Sequence, residues 1–137
     1  MSDFTDLPDL ASETLGGWAM WANDEFFAAK ENLLRPHAAE WREHEYTDNG
    51  KWMDGWETRR RRTPGSDVCV IRLGLPGAVA GIVVDTAYFR GNYPAECLIE
   101  GATLDVKHEL IECHGIDLYV AFVIALQAGW IQSPVIS

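Results

Sequence analysis

VCVIRL (residues 68–73), the turn GLPG (74–77) and GIVVDTAYF (81–89) form the stretch whose reading decides the fold. The first and last pieces are compact β-branched runs, and Pro64, Gly65 and Gly74 bound the first of them. Gly and Pro between two such runs are turn chemistry. Residues 97–100 (CLIE) add a third expected strand. Short strands separated by Gly/Pro turns, with no helical pattern between them, predict an all-β chain built as an antiparallel β-sandwich. Residues 68–73 and 81–89 are its expected central strands. Asp85 interrupts the second run, and a carboxylate there must face solvent, pair with an arginine or sit in a site.

Upstream, residues 50–65 read GKWMDGWETRRRRTPG. Trp52 and Trp56 sit in a turn-rich frame set by Gly50 and Gly55, followed by Glu57, Thr58 and the run Arg59, Arg60, Arg61, Arg62. Guanidinium groups grip carboxylates bidentately and stack on aromatic faces, so this pattern suits a planar, anionic, hydrogen-bond-rich small molecule. A solvated basic loop is the plain alternative.

Composition bounds these readings. The 137 residues fit one domain with a real core, and 47% hydrophobic with 23% charged residues is globular composition. A formal net charge of −10 argues against nucleic acid and anionic membranes as partners. Four of the eight arginines fall in one patch, and a local cationic spot in an acidic protein suits a small anion. Cys69, Cys97 and Cys113 are an odd set without a CxxC pair, which favours a reducing compartment. The acidic opening lacks an apolar signal core, and no run is long enough to span a bilayer, so a soluble, cytoplasmic protein is expected.

Elsewhere the signals are weaker. Residues 21–34 (WANDEFFAAKENLL) offer amides, carboxylates and an amine beside aromatic surface, or a polar loop pinned by Phe and Trp. His37 and His44 lie seven apart, but nothing fixes a ligand geometry around them, and no metal is expected. His108-Glu109 opens an HExxH-like run, yet Glu112 stands where the second His belongs and His114 comes late, so the motif fails. Residues 118–126 are an apolar run that suits a substitute core strand or a buried helix turn, and periodicity does not decide between them.

Six strings taken together resemble one family. FTDLPDLASETLGG (4–17), WANDEFFAAKENLL (21–34), GKWMDGWETRRRRTPG (50–65), IRLGLPG (71–77), GIVVDTAYFRGNYP (81–94) and CLIEG (97–101) are similar, in order, to the first repeat of allantoicase. The resemblance covers roughly residues 4–102 and implies a jelly-roll β-sandwich of the galactose-binding-domain type. It also implies hydrolysis of allantoate to ureidoglycolate and urea in purine breakdown, with no cofactor. Residues 102–137 depart from the family pattern, which continues through closing strands, a linker and a second repeat. A repeat-like sandwich over 1–102, incomplete at its C-terminal side, and a divergent tail over 103–137 are therefore expected, as a truncated or misspliced product would give.

Allantoate carries a carboxylate and two ureido groups on one carbon. Releasing urea needs a cation for the carboxylate, an acid for the leaving nitrogen and a base for water. Arg59, Arg60, Arg61, Arg62 and Arg90 are candidates for the cation, with Lys30 as a further substrate-binding amine. Glu57, Asp54, Asp85 and Glu25 are the acid/base candidates, while Asn23, Asn32 and Asn92 suit the ureido arms. For each Arg the plain alternative is a surface ion pair. Two other classes stay open: an inactive repeat or ligand-binding sandwich module, and a subunit that assembles as a homo-oligomer or with a fuller partner.

Overall fold

The structure is a computed structural model and describes residues 3–104 and 119–127. Its frame is a four-stranded antiparallel sheet of β1 (Trp18–Ala22), β4 (Ser66–Arg72), β5 (Glu96–Leu104) and β6 (Tyr119–Gln127), in the order β1-β4-β6-β5. A small antiparallel ribbon joins β2 (Tyr46–Thr47) to β3 (Gly50–Lys51). The described residues contain short 3-10 helices and no α-helix, so the all-β expectation holds. No helix among them is long and apolar enough to cross a membrane.

β4 shows why this sequence makes a half-buried strand. Side chains alternate across a strand, and Asp67, Cys69 and Ile71 are all buried while their neighbours are only partly so. Leu73 continues that parity just beyond the strand and is also buried. Cys69, Ile71, Ala19 from β1, Leu34 and Trp56 form the core cluster. Leu34 reaches it from the end of the 3-10 helix Lys30–Leu34. Burial pushes the Cys69 thiol up to about 12, so this cysteine packs as a small apolar side chain.

The N-terminal segment is fastened to the end of β4. Ser12 caps the 3-10 helix Glu13–Leu15, which ends at Gly16 with φ of 90°. Gly74 donates its N–H to the Leu10 carbonyl at 2.9 Å. A Cβ on Gly74 would lie 2.0 Å from the Leu15 carbonyl oxygen, so only glycine permits this approach.

Two of the three expected strands are present: residues 68–73 fall in β4, and residues 97–100 in β5. Residues 81–89 are a correction, for they join no ladder. They run across the surface with Ile82 50% and Val83 65% exposed, and Tyr88 turns the chain at φ of 68°. The slot beside β4 is taken by β6, which pairs continuously from Ser66↔Gln127 to Arg72↔Ala121 and on its other side with the whole of β5. The physical reason lies in Asp85. The run that takes the slot, YVAFVIALQ, carries no charge, whereas 81–89 would bring in the Asp85 carboxylate, which has none of the side-chain donors that Asp67 has in β4. Residues 119–126 of the apolar run are thus strand, within the tail expected from residue 103, and they pair with β5 and, from Ala121 on, with β4. The HExxH-like run at 108–114 and Cys113 lie outside the described residues.

Candidate functional site

β1 delivers Asn23 and Asp24 to one end of the sheet, beside the start of β4. The Asn23 side chain bridges the two strands: its Oδ1 accepts from Val68 N–H at 2.7 Å and its Nδ2 donates to Asp67 Oδ1 at 3.1 Å. Asp67 is buried and therefore needs partners. Besides Asn23 it accepts from the Thr58 hydroxyl at 2.7 Å and from Arg61 Nε at 3.2 Å. Asp24 performs the matching task one residue after Asn23. Its carboxylate accepts from Arg59 Nε at 2.7 Å and from Phe26 N–H at 2.9 Å. Its backbone carbonyl accepts from the Trp56 indole at 2.7 Å. Burial alone would raise the Asp24 pKa, but the hydrogen bonds from Phe26 and Arg59 together outweigh it and hold the carboxyl below its ordinary value.

Glu57 sits between these fastened neighbours. Its backbone forms an isolated antiparallel bridge with Ala28, with N–H to carbonyl distances of 3.1 and 3.2 Å. Its side chain Oε1 accepts from Asn92 Nδ2 at 3.0 Å. Burial raises the Glu57 pKa against the opposing effect of the Asn92 hydrogen bond. The loop of residues 50–65 and the loop after residue 89 therefore meet. Phe89 packs so closely on Gly55 that a Cβ there would lie 2.9 Å from its ring. Trp41 and Tyr88 add a tilted ring contact at 5.8 Å.

The other candidates separate into groups. Glu25 and Lys30 face each other at 3.2 Å, and Lys30 also meets Glu31 at 2.8 Å. The hydrogen bond to Glu31, and then that to Glu25, hold the Lys30 amine above its ordinary pKa against the opposing effect of burial. Asn32 donates to the Gly55 carbonyl at 3.0 Å, which ties the 3-10 helix to the tryptophan loop. Asp54, with a side chain only 5% exposed, lies 3.6 Å from both Arg35 and His37 and accepts from Glu40 N–H. Asp85, expected mid-strand, is instead exposed just before the turn at Ala87 and Tyr88, where it accepts from Ala87 N–H at 2.8 Å. Arg60, Arg62 and Arg90 are exposed.

The arginine run is accordingly not one uniform anion grip. Arg59 and Arg61 are engaged by Asp24 and Asp67, and Arg59 also lies over the Phe26 ring at 5.4 Å. Sequence reasoning missed both acids and Thr58. Asp67 carried a usable signal: it shares parity with Cys69, Ile71 and Leu73, and a carboxylate on a buried face implies a paired partner. A cleft of ≈ 510 Å³ also opens between the N-terminal segment and residues 78–85. Leu7, Leu10, Leu73 and Ile82 among others line it, with Asp54 and Asp85 in its wall. Its walls are mostly apolar.

With that geometry in place, comparison with known proteins is informative. Residues 8–119 match the model of the allantoicase repeat family. A probable allantoicase of Nocardia farcinica is 53% identical over 103 residues, which is 74% of this chain and 31% of that protein. A probable allantoicase of Photobacterium profundum is 51% identical over 98 residues, 72% of this chain and 30% of that one. The crystal structure of allantoicase from Saccharomyces cerevisiae superposes with a TM-score of 0.60 at 25% identity, over 88% of this chain and 44% of that one. The likeness extends to the fold, an all-β sandwich. The chain spans about a third of the length of the curated relatives it matches. By the family match and by its identity to these relatives, this chain is a member of the allantoicase repeat family.

Proposed function

We propose that this chain carries an allantoicase-type site that converts allantoate and water to ureidoglycolate and urea, with Glu57 as its proton donor. The observation that supports this reading is the Glu57–Asn92 pair, a half-buried carboxyl with a raised pKa touching a side-chain amide inside the stretch that matches the family. In this mechanism the Glu57 carboxyl passes its proton to the leaving ureido nitrogen. The C–N bond then breaks with its electron pair going to that nitrogen, and urea departs. The lone pair of the other ureido nitrogen forms a C=N bond to the central carbon. Water adds to that carbon, the C=N electrons return to nitrogen, and the water proton goes to the Glu57 carboxylate. One residue thus serves as acid and then as base, which a pKa raised towards the working pH favours. Asn92 holds a ureido arm beside Glu57, and Asn32 and Asn23 stand on neighbouring elements. Arg90, exposed and two residues from Asn92, is the cation proposed for the substrate carboxylate, with Arg60 and Arg62 on the facing loop. The same reading places the chain in the cytoplasm.

Urea release from allantoate by the purified chain, compared with Glu57→Gln, tests this. The glutamine variant should lose about a hundredfold or more of the rate, the usual contribution of a positioned acid. Wild-type rates in the variant would remove Glu57 from the mechanism. A second reading, a ligand-binding module without turnover, is favoured by one feature: Arg59, Arg61 and Lys30 are engaged by the protein's own acids. Calorimetric binding of allantoate with no urea formed would select it.

A further inference from the structure

We propose that Asp67 and Asp24 are positioning residues, which act through Thr58, Arg59, Arg61 and Trp56 to hold Glu57 in place against Asn92. This rests on the reading of Glu57 as the proton donor and extends it to the groups that aim it.

The segment around Glu57 has no regular structure of its own beyond the single bridge to Ala28. Such a segment keeps one conformation only if its neighbours are fastened. On the N-terminal side, the Trp56 indole is fixed at 2.7 Å by the Asp24 carbonyl and its ring is buried in the core. On the C-terminal side, the Thr58 hydroxyl is fixed at 2.7 Å by Asp67, and Arg59 is held at 2.7 Å by the Asp24 carboxylate. Arg61 closes the set on the second oxygen of Asp67. Both acids stand on rigid ground: Asp67 lies within β4, and Asp24 follows Asn23, which is locked to Val68 in both directions. The strap is thus anchored to the edge pairing of β1 and β4. Charge-assisted hydrogen bonds of this kind are short and directional, so they fix a backbone better than apolar contact does. Small displacements of an acid from its target lower rates steeply, and this arrangement prevents them.

The test uses the full chain and the hydroxyl of Thr58, because removing Asp67 outright risks the fold. Thr58→Val deletes the donor to Asp67, and Thr58→Ser restores it. The Glu57 carboxyl is followed by carbon-13 NMR as pH is varied, alongside urea release. In Thr58→Val the Glu57 midpoint should move down towards an ordinary carboxylate, as water reaches a loosened segment. The rate should fall about tenfold with KM nearly unchanged. Thr58→Ser should keep both at wild-type values. If Glu57 titrates identically in wild type and Thr58→Val, and in Asp24→Asn as well, the backbone bridge alone holds Glu57 and the proposal is wrong. The outcome for Glu57→Gln is separate. A glutamine variant that still releases urea overturns the proton-donor reading, whereas a Glu57 midpoint that responds to Thr58 would still establish the strap.

Discussion

Replacing Glu57 by glutamine keeps the oxygen that accepts from Asn92 and removes the charge that burial disfavours. The folded pKa of Glu57 lies above its unfolded value, so the fold prefers the protonated form. Its contribution to stability is fully present below the unfolded pKa and is lost as pH rises through the folded pKa. We therefore predict that Glu57→Gln is more stable than wild type at about pH 7, by ~0.5 kcal/mol after discounting for solvent around a half-exposed group. The difference should shrink as pH falls and vanish only well below the unfolded Glu value of about 4.3, at about pH 2.5, where the wild-type carboxyl is protonated in both states. Denaturant titration at both pH values checks this, and a less stable variant at neutral pH would refute it. Asp24 behaves oppositely, because its folded pKa lies below the unfolded one. Its contribution is present above the unfolded pKa and disappears as pH falls through the folded value. Asp24→Asn should lose ~1 kcal/mol at neutral pH, the usual net worth of one hydrogen bond, and match wild type in strong acid. A pH-independent difference would show that Asp24 acts through packing instead. These two acids also mark what could be read from sequence at this scale. The four arginines were visible, but their partners were not, since Arg59 and Asp24 are 35 residues apart and only the fold brings them together.

β4 and β5 were legible because their β-branched runs lie between turn residues, and local chemistry suffices for such strands. Residues 81–89 have the same local chemistry and form no strand, because a central slot is a property of the whole sheet. Of the two apolar runs, the one that occupies it carries no charge. Backbone pairing on both sides of β6 makes the outcome testable with a proline. Ile124 pairs with Cys69 on one side and Ile99 on the other, and proline there removes an N–H from the ladder. We predict that Ile124→Pro weakens β6 and lets residues 82–89 take up pairing beside β4. Hydrogen exchange should then show these amides passing from fast to protected, while β4 stays protected. If residues 82–89 remain fast while β4 keeps its protection in the variant, they are not an alternative occupant of the slot. The family match ends at residue 119, so all of β6 after its first residue lies beyond the matched stretch.

The described residues combine a small core with a large apolar surface. Five buried residues make the core cluster among the described residues, whereas Trp18, Trp21, Val83, Val84 and Leu98 are each more than 40% exposed. Exposed apolar side chains on this scale mark contact surfaces or association hazards. Among the described residues β5 sits at the end of the sheet order, with no strand paired to its outer edge. Two forces then oppose each other. Apolar burial draws copies together, while a formal charge of −10 on every chain pushes them apart. Charge repulsion between surfaces is screened by salt, since the Debye length falls from roughly 14 Å at 0.05 M to about 4 Å at 0.5 M, and apolar attraction is not weakened over that range. The chain should therefore associate reversibly, and more strongly at about 0.5 M than at about 0.05 M salt. Sedimentation velocity over a concentration series at both ionic strengths measures it. Glu96 and Glu100 on β5 would add to the repulsion if that edge were the contact, so Leu98→Lys is the variant to compare with Val83→Lys. Greater loss of association in Val83→Lys would place the contact on the displaced 81–89 run, and greater loss in Leu98→Lys would place it at β5. A chain that stays monomeric at both salt concentrations would show that the exposed apolar side chains are too dispersed to bind a second copy.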